Sequence, residues 1–180
     1  MRCTLGPRDA AGLIRLRSAA MAEDTYTVER SATIAAPPER VYEQIADFHR
    51  WTAWSPWEDV DPDMRREYSG AGSGVGAVYA WSGNRKAGAG RMTVVEAAEP
   101  SRVRIDLAFE KPFKARNDTV FTITPDGNGS RVTWTMTGTR TFGVRLMSVV
   151  KSMDALLGPD FEKGLTQLRA AVEAPAERHD

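Results

Sequence analysis

At 180 residues, with 24 Lys and Arg against 24 Asp and Glu, the chain carries no formal net charge. That balance argues against a nucleic-acid partner, whose phosphates require a basic excess, and no apolar run approaches the roughly 18 residues of a membrane-spanning helix. The length suits one domain with a sizeable core, and the lone cysteine, Cys3, excludes an intramolecular disulfide and a cysteine-based metal cluster and fits a reducing, cytoplasmic setting.

The leader is basic, with Arg2, Arg8, Arg15 and Arg17 against Asp9, but Leu13-Ile14 is too short an apolar core for a signal peptide. Residues 1–22 therefore read as a disordered extension with Met21 the functional start, 23–174 as the folded domain, and 175–180 as a disordered tail. Thr25 to Ala35 reads as a first strand, ended by Ala36-Pro37-Pro38. Proline in the first turn and Glu39 against the N-terminal dipole open a short helix whose buried stripe is Val41, Ile45 and Phe48. Phe48, Trp51, Trp54 and Trp57 then recur every third residue. The first three suit a continuing 3₁₀-type helix that Ser55-Pro56 stops.

From Met64 the pattern is one of strands. Met64 to Ser69 is followed by Gly70-Ala71-Gly72-Ser73-Gly74, read as a mobile hairpin loop. Val75 to Ser82 places Ala77, Tyr79 and Trp81 on one face, and Gly83-Asn84 turns the chain into Gly88 to Glu96. After the turn at Glu99-Pro100-Ser101, Val103, Ile105, Leu107 and Phe109 alternate with polar residues, the clearest half-buried strand of the sequence. Lys111-Pro112 marks a loop. Asn117 to Thr124 points Phe121 and Ile123 inward, and the turn at Pro125 to Gly129 leads to a last strand with Val132, Trp134 and Met136 on one face.

The chain closes on an amphipathic helix, Val144 to Val172. Leu146, Val149, Val150, Met153, Leu156, Leu157, Phe161, Leu165, Leu168 and Val172 follow steps of three and four. Pro159 cannot donate its amide and clashes with the carbonyl of Ala155, so a kink or two abutting helices is expected there. One strand, short helices, about six strands with tight turns and a long helix make an α+β domain, its antiparallel sheet curled around the last helix.

Pro37-Pro38-Glu39-Arg40-Val41-Tyr42, Trp54-Ser55-Pro56-Trp57, Tyr79-Ala80-Trp81-Ser82-Gly83-Asn84 and the GPDFEKGL run from Gly158 to Leu165 come in that order. Together they resemble the polyketide cyclase/dehydrase and lipid-transport family of the START-like helix-grip superfamily, over roughly Thr25 to Glu173. The resemblance implies a curved six- or seven-stranded sheet gripping the C-terminal helix over a deep, largely apolar cavity. It does not select among carriers, cyclases, dehydratases, ring-hydroxylase domains and chaperone-binding modules.

Catalytic signals are sparse, and no catalytic residue is assigned. His49 and His179 are the only histidines, so no nucleophilic triad has convincing members, and no HxxxH, HxH or CxxC spacing supports a metal. His49 reads as an exposed or capping residue. Glu58, Asp59, Asp61 and Asp63 lack the spacing of a calcium loop and read as a solvated acidic loop. The glycines from Gly70 to Gly76 open a strand rather than a helix and so do not make a phosphate loop.

What remains is a cavity lining: Trp54, Trp57, Tyr79, Trp81, Phe109, Phe113, Asn117, Trp134, Met136, Met153, Leu157 and Phe161, with Glu58, Arg116 and Asp118 as its polar rim. Each apolar member alone is more often a core residue; the total favours a site. The leading expectation is a binding or transport protein for a hydrophobic or amphipathic small molecule, lipid-like or polyketide-like, with no cofactor or metal. Next comes a cyclase or dehydratase using a buried carboxylate such as Glu58 or Asp118, then a partner-binding module.

Overall fold

The computed structural model describes residues 25–139 and 152–174. The expected leader, the tail and the first turns of the long helix, including Leu146, Val149 and Val150, lie outside them. Seven strands form one fully antiparallel sheet: β1 (Thr25–Ile34), β2 (Arg65–Gly70), β3 (Ala77–Ser82), β4 (Ala89–Ala98), β5 (Arg102–Lys111), β6 (Ala115–Asp126) and β7 (Gly129–Thr139). Their order is β1-β7-β6-β5-β4-β3-β2, a meander from β2 to β7 with the first strand added beside the last.

Two short elements bridge β1 and β2: helix α1 (Pro38–Ala46) and a 3₁₀ helix (Phe48–Ala53). Pro38 occupies the first turn of α1, where its missing amide costs nothing, and Val41, Tyr42, Ile45 and Ala46 are its buried face. Asp47 caps the 3₁₀ helix by accepting from the backbone amide of His49. Trp51 and Trp54 donate their indole N–H groups to the carbonyls of Ile45 and Gln44 at 3.0 and 3.2 Å. The aromatic repeat thus fastens the 3₁₀ helix back onto α1 as well as filling the core.

The C-terminal helix α2 (Met153–Glu173) is capped by Ser152, whose hydroxyl accepts from the amide of Ala155. It runs through Pro159 as one helix, so of the two expectations, a kink or two abutting helices, the second is not met. Met153, Phe161, Leu165, Leu168 and Val172 are buried along it, whereas Leu156 falls off the stripe and is exposed. Its N-terminal half is tied to β1 by Arg30, which meets Asp154 at 2.7 Å and Glu162 at 2.8 Å. Its last turn is tied by Glu173, which accepts from the amide of Ala35 at 2.7 Å. The core lies between the inward face of the sheet, α1, the 3₁₀ helix and α2.

Strand alternation sorts the sheet. Asn117, Thr119, Phe121 and Ile123 of β6 are buried, as are Ser130, Val132, Trp134 and Met136 of β7. Residues between them face out, where Arg104–Asp118 and Arg116–Asp106 form cross-strand ion pairs at 2.7 and 2.6 Å.

Candidate functional site

The inward face divides along the length of α2. Around the middle of α2, at Phe161 and Gly164, the interior is filled with rings. Trp134 stacks on Phe161 with centroids 4.1 Å apart and lies 4.9 Å from Phe121, while Trp54 and Trp57 meet it edge-on at 6.0 and 5.8 Å. Gly164 makes this packing possible, since a Cβ there would stand 2.8 Å from Cζ3 of Trp134 and 3.1 Å from Pro56. Toward the N-terminal end the lining is looser. Trp81, Leu107, Phe109 and Leu157 are only half-buried, around the buried Met136, Met153 and Asn117. Trp81 packs edge-on against Phe109 at 5.7 Å and lies over Gly90, where any side chain would collide with its ring.

Polar groups punctuate this looser part. Asn117 Oδ1 accepts from the Tyr26 hydroxyl at 2.9 Å, and burial pushes the Tyr26 phenol up. Trp81 donates its N–H to the carbonyl of Ala87 at 3.0 Å. Thr119 Oγ1 and Trp134 Nε1, by contrast, are buried and have no hydrogen-bond partner among the described residues; the third such atom is Oε1 of Gln167 on α2. Sequence reading placed Trp134 in the lining and missed Thr119. Its signal was available, since Thr119 shares the alternation of Asn117 and Phe121.

On the β2–β3 flank a buried polar trio stands beside the rings. Glu58 accepts from the Tyr79 hydroxyl at 3.0 Å through one oxygen and from Arg66 Nε at 2.6 Å through the other. Burial first, and the Glu58 charge second, raise the Tyr79 phenol well above its ordinary range, so it remains a protonated donor. Tyr79 also stacks between Tyr68 at 5.2 Å and Trp81 at 6.0 Å.

Several expectations need correction. The acidic loop is not simply solvated: Glu58 and Asp61 are only 8% and 6% exposed. Asp61 accepts from the backbone amides of Asn84 and Asp63, so hydrogen bonds, most of them from residues the fold brings in, satisfy both buried carboxylates. Arg116 and Asp118 sit on the outer face, opposite Asn117, because neighbours in a strand point to opposite sides. They border an open recess of about 580 Å³ there, together with Thr137 and Thr139. The glycine loop before β3 is fastened, with Gly74 donating to the carbonyl of Ala46 and Gly76 to that of Val94. A smaller recess of about 120 Å³ lies beside it, lined in part by Phe48, His49 and Tyr68. His49 is exposed, bonded to Asp47 and stacked on Tyr68 at 4.3 Å. Phe113 is 50% exposed on the β5–β6 connection and Trp57 is 36% exposed. Among the described residues no group of three or more His, Cys, Asp and Glu is placed to hold a metal, and no helix is long and apolar enough to cross a membrane.

Solved structures share this fold at low identity. A structural-genomics protein of Chromobacterium violaceum superposes with a TM-score of 0.62 at 18% identity, over 83% of this chain and 98% of its own. The Aha1 dimer protein of Colwellia psychrerythraea gives 0.58 at 16% identity, over 83% and 97%. DynU16, a protein of the dynemicin biosynthetic locus, gives 0.56 at 16%, over 82% of this chain and 47% of its own. No curated protein matches the chain. The family model for polyketide cyclase/dehydrase and lipid transport matches residues 25–173, nearly the whole described domain, and the chain belongs to that family.

Proposed function

We propose that the protein binds a hydrophobic or amphipathic small molecule between the sheet and the N-terminal half of α2. The observation that carries this reading is the half-buried apolar set Trp81, Leu107, Phe109 and Leu157, together with the buried, unpartnered polar atoms of Thr119 and Trp134 on the inward face. Apolar walls with a few polar groups are the usual make-up of a small-molecule site, and family membership points the same way. Met136, Met153 and Asn117 complete the lining. Trp54, Phe161 and most of the Trp134 ring act as its packed floor. Native mass spectrometry of the protein as purified, with titration of a fluorescent fatty acid or polyketide-like aromatic, tests the reading. A saturable one-to-one complex supports it. No adduct and no saturable signal with either probe would remove it.

A second reading, a cyclase or dehydratase, draws on Glu58, Tyr79 and Arg66. Both Glu58 oxygens are occupied and Tyr79 stays protonated, so in this state the trio offers a hydrogen-bond donor and no free base. Catalysis there requires the substrate to displace one of these bonds. If the protein turns over a polyketide-like ring, Tyr79→Phe lowers kcat at least tenfold; unchanged turnover would leave the binding reading alone.

A further inference from the structure

Two buried polar atoms on the inward face are left without partners, Oγ1 of Thr119 and Nε1 of Trp134. Their residues are only 4% and 2% exposed. In the β6–β7 register Thr119 stands opposite Met136 and Trp134 opposite Phe121, which makes Thr119 and Trp134 diagonal neighbours on one face. The benzo edge of Trp134 lies against Gly164, so its pyrrole edge, carrying Nε1, is turned away from that contact. Trp51, Trp54 and Trp81 all donate their indole N–H groups to backbone carbonyls, which makes the idle donor of Trp134 stand out. An unmade hydrogen bond at a buried donor costs stability unless something fills it.

Resting on the binding reading above, we infer that Thr119 and Trp134 form an anchor for one neutral oxygen of the bound molecule. The indole N–H donates to that oxygen, and the threonine hydroxyl donates to it or accepts from it. The charge around the pair sets the ligand class. Thr119 is flanked across the sheet by Ile105 and Met136, and along its own strand by Asn117 and Phe121. Among the described residues, the inward-facing arginines Arg30 and Arg66 are each already bound to carboxylates. Arg30, directly opposite Trp134 in the β1–β7 register, is thus engaged, and a carboxylate brought to the anchor would be desolvated with no unpaired inward-facing arginine among the described residues to meet it. The chemistry fits a ketone, aldehyde, ester or alcohol on an apolar body, in preference to an ionised fatty acid.

Three probes of equal chain length test this on the intact protein: methyl hexyl ketone, octanoate and octane. Affinity is followed by tryptophan fluorescence and the indole N–H resonances by NMR, with Trp134 assigned from Trp134→Phe. The ketone is expected to bind roughly tenfold more tightly than octane, the yield of about one hydrogen bond, and to move the Trp134 N–H resonance downfield. Octanoate is expected to bind more weakly than the ketone. Thr119→Val, which keeps the shape and removes the hydroxyl, is expected to shrink the ketone's advantage over octane severalfold, and Thr119→Ser to restore it. In the absence of ligand, Thr119→Val should unfold at the same or higher urea concentration, because it deletes an unpaired buried hydroxyl. Equal binding of ketone and octane with no shift of the Trp134 resonance means that water alone occupies the atoms and overturns the anchor while leaving the binding site intact. Tighter binding of octanoate overturns it as well. Failure of all three probes to bind removes the site and the anchor together. The NMR arm on the native chain decides the matter even if Thr119→Val does not fold.

Discussion

The two ends of the inward face are made of the same residue types and do different things. At the Trp134–Phe161 end, five aromatic side chains from β6, β7, α2 and the segment after α1 interlock, and four of them, Trp54, Phe121, Trp134 and Phe161, are at most 2% exposed. At the other end Trp81, Leu107, Phe109 and Leu157 come from strands farther from α2 and from its first turns, and stay half-buried. The difference is geometric. α2 lies chiefly against β1, at the β1–β7 side of the sheet, and β3 to β5 lie toward its other side. Glycine at 164 draws helix and Trp134 together at the tight end. Residue type does not separate the tightly packed end from the half-buried one.

That contrast can be broken most severely at its tight end. Trp134→Ala is expected to lose about 3–5 kcal/mol of stability through the cavity it opens, read as a fall in the urea midpoint at unchanged slope. A loss below about 1 kcal/mol would mean the ring cluster is not rigidly packed. Gly164→Ala gains about 1 kcal/mol of helix propensity yet forces a Cβ toward Trp134 and Pro56, for a net loss of about 1–2 kcal/mol by the same measurement. A stabilised Gly164→Ala would show that helix and sheet have room to part.

Tyr79→Phe, on the flank between the two ends, should cost about 1–2 kcal/mol near neutral pH by leaving one Glu58 oxygen unpaired. Its pH dependence has a definite sign. The folded phenol is raised above its unfolded value near 10, so the stability it contributes is fully present below about pH 10 and is lost as pH rises toward the folded value. The urea midpoint of the native protein should therefore fall more steeply above about pH 10 than that of the phenylalanine variant. Parallel profiles would mean the phenol is not held neutral by the fold.

Leu157→Ala, at the loose end, is expected to change stability by about 1 kcal/mol or less while weakening binding of the fluorescent probe severalfold. The reverse pattern would make this end part of the core. The smallest effect is expected from Arg116→Ala, which removes an exposed ion pair on the outer face and should leave both the midpoint and probe binding unchanged. A loss of probe affinity in that variant would move the site to the outer recess.

Much of the fold could be read before any coordinate was known. Alternation in Val103 to Phe109, turn residues at Gly83-Asn84 and Pro125 to Gly129, and proline at the start of α1 are local signals, and local signals survive in sequence. The polar rim was less legible. Arg116 and Asp118, expected at the rim with Asn117 in the lining, are its neighbours in the chain, and a strand sends neighbours to opposite faces. Glu58 and Asp61 looked like solvated loop carboxylates because nothing local shows that Tyr79, Arg66 and Asn84 will arrive to bond them.

By itself, then, the sequence determined the α+β class, the antiparallel meander, the buried stripe of the last helix and the family to which the chain belongs. Periodicity and turn chemistry are properties of residues a few positions apart, and so are the motifs that carry the resemblance. Tertiary structure alone decided which aromatic residues pack solidly and which stay half-buried, and which carboxylates are buried with partners. It also decided that Thr119 and Trp134 come side by side with their polar atoms unspent. Each of these depends on where a helix from the end of the chain settles across strands from its middle, and that distance is written in no local stretch.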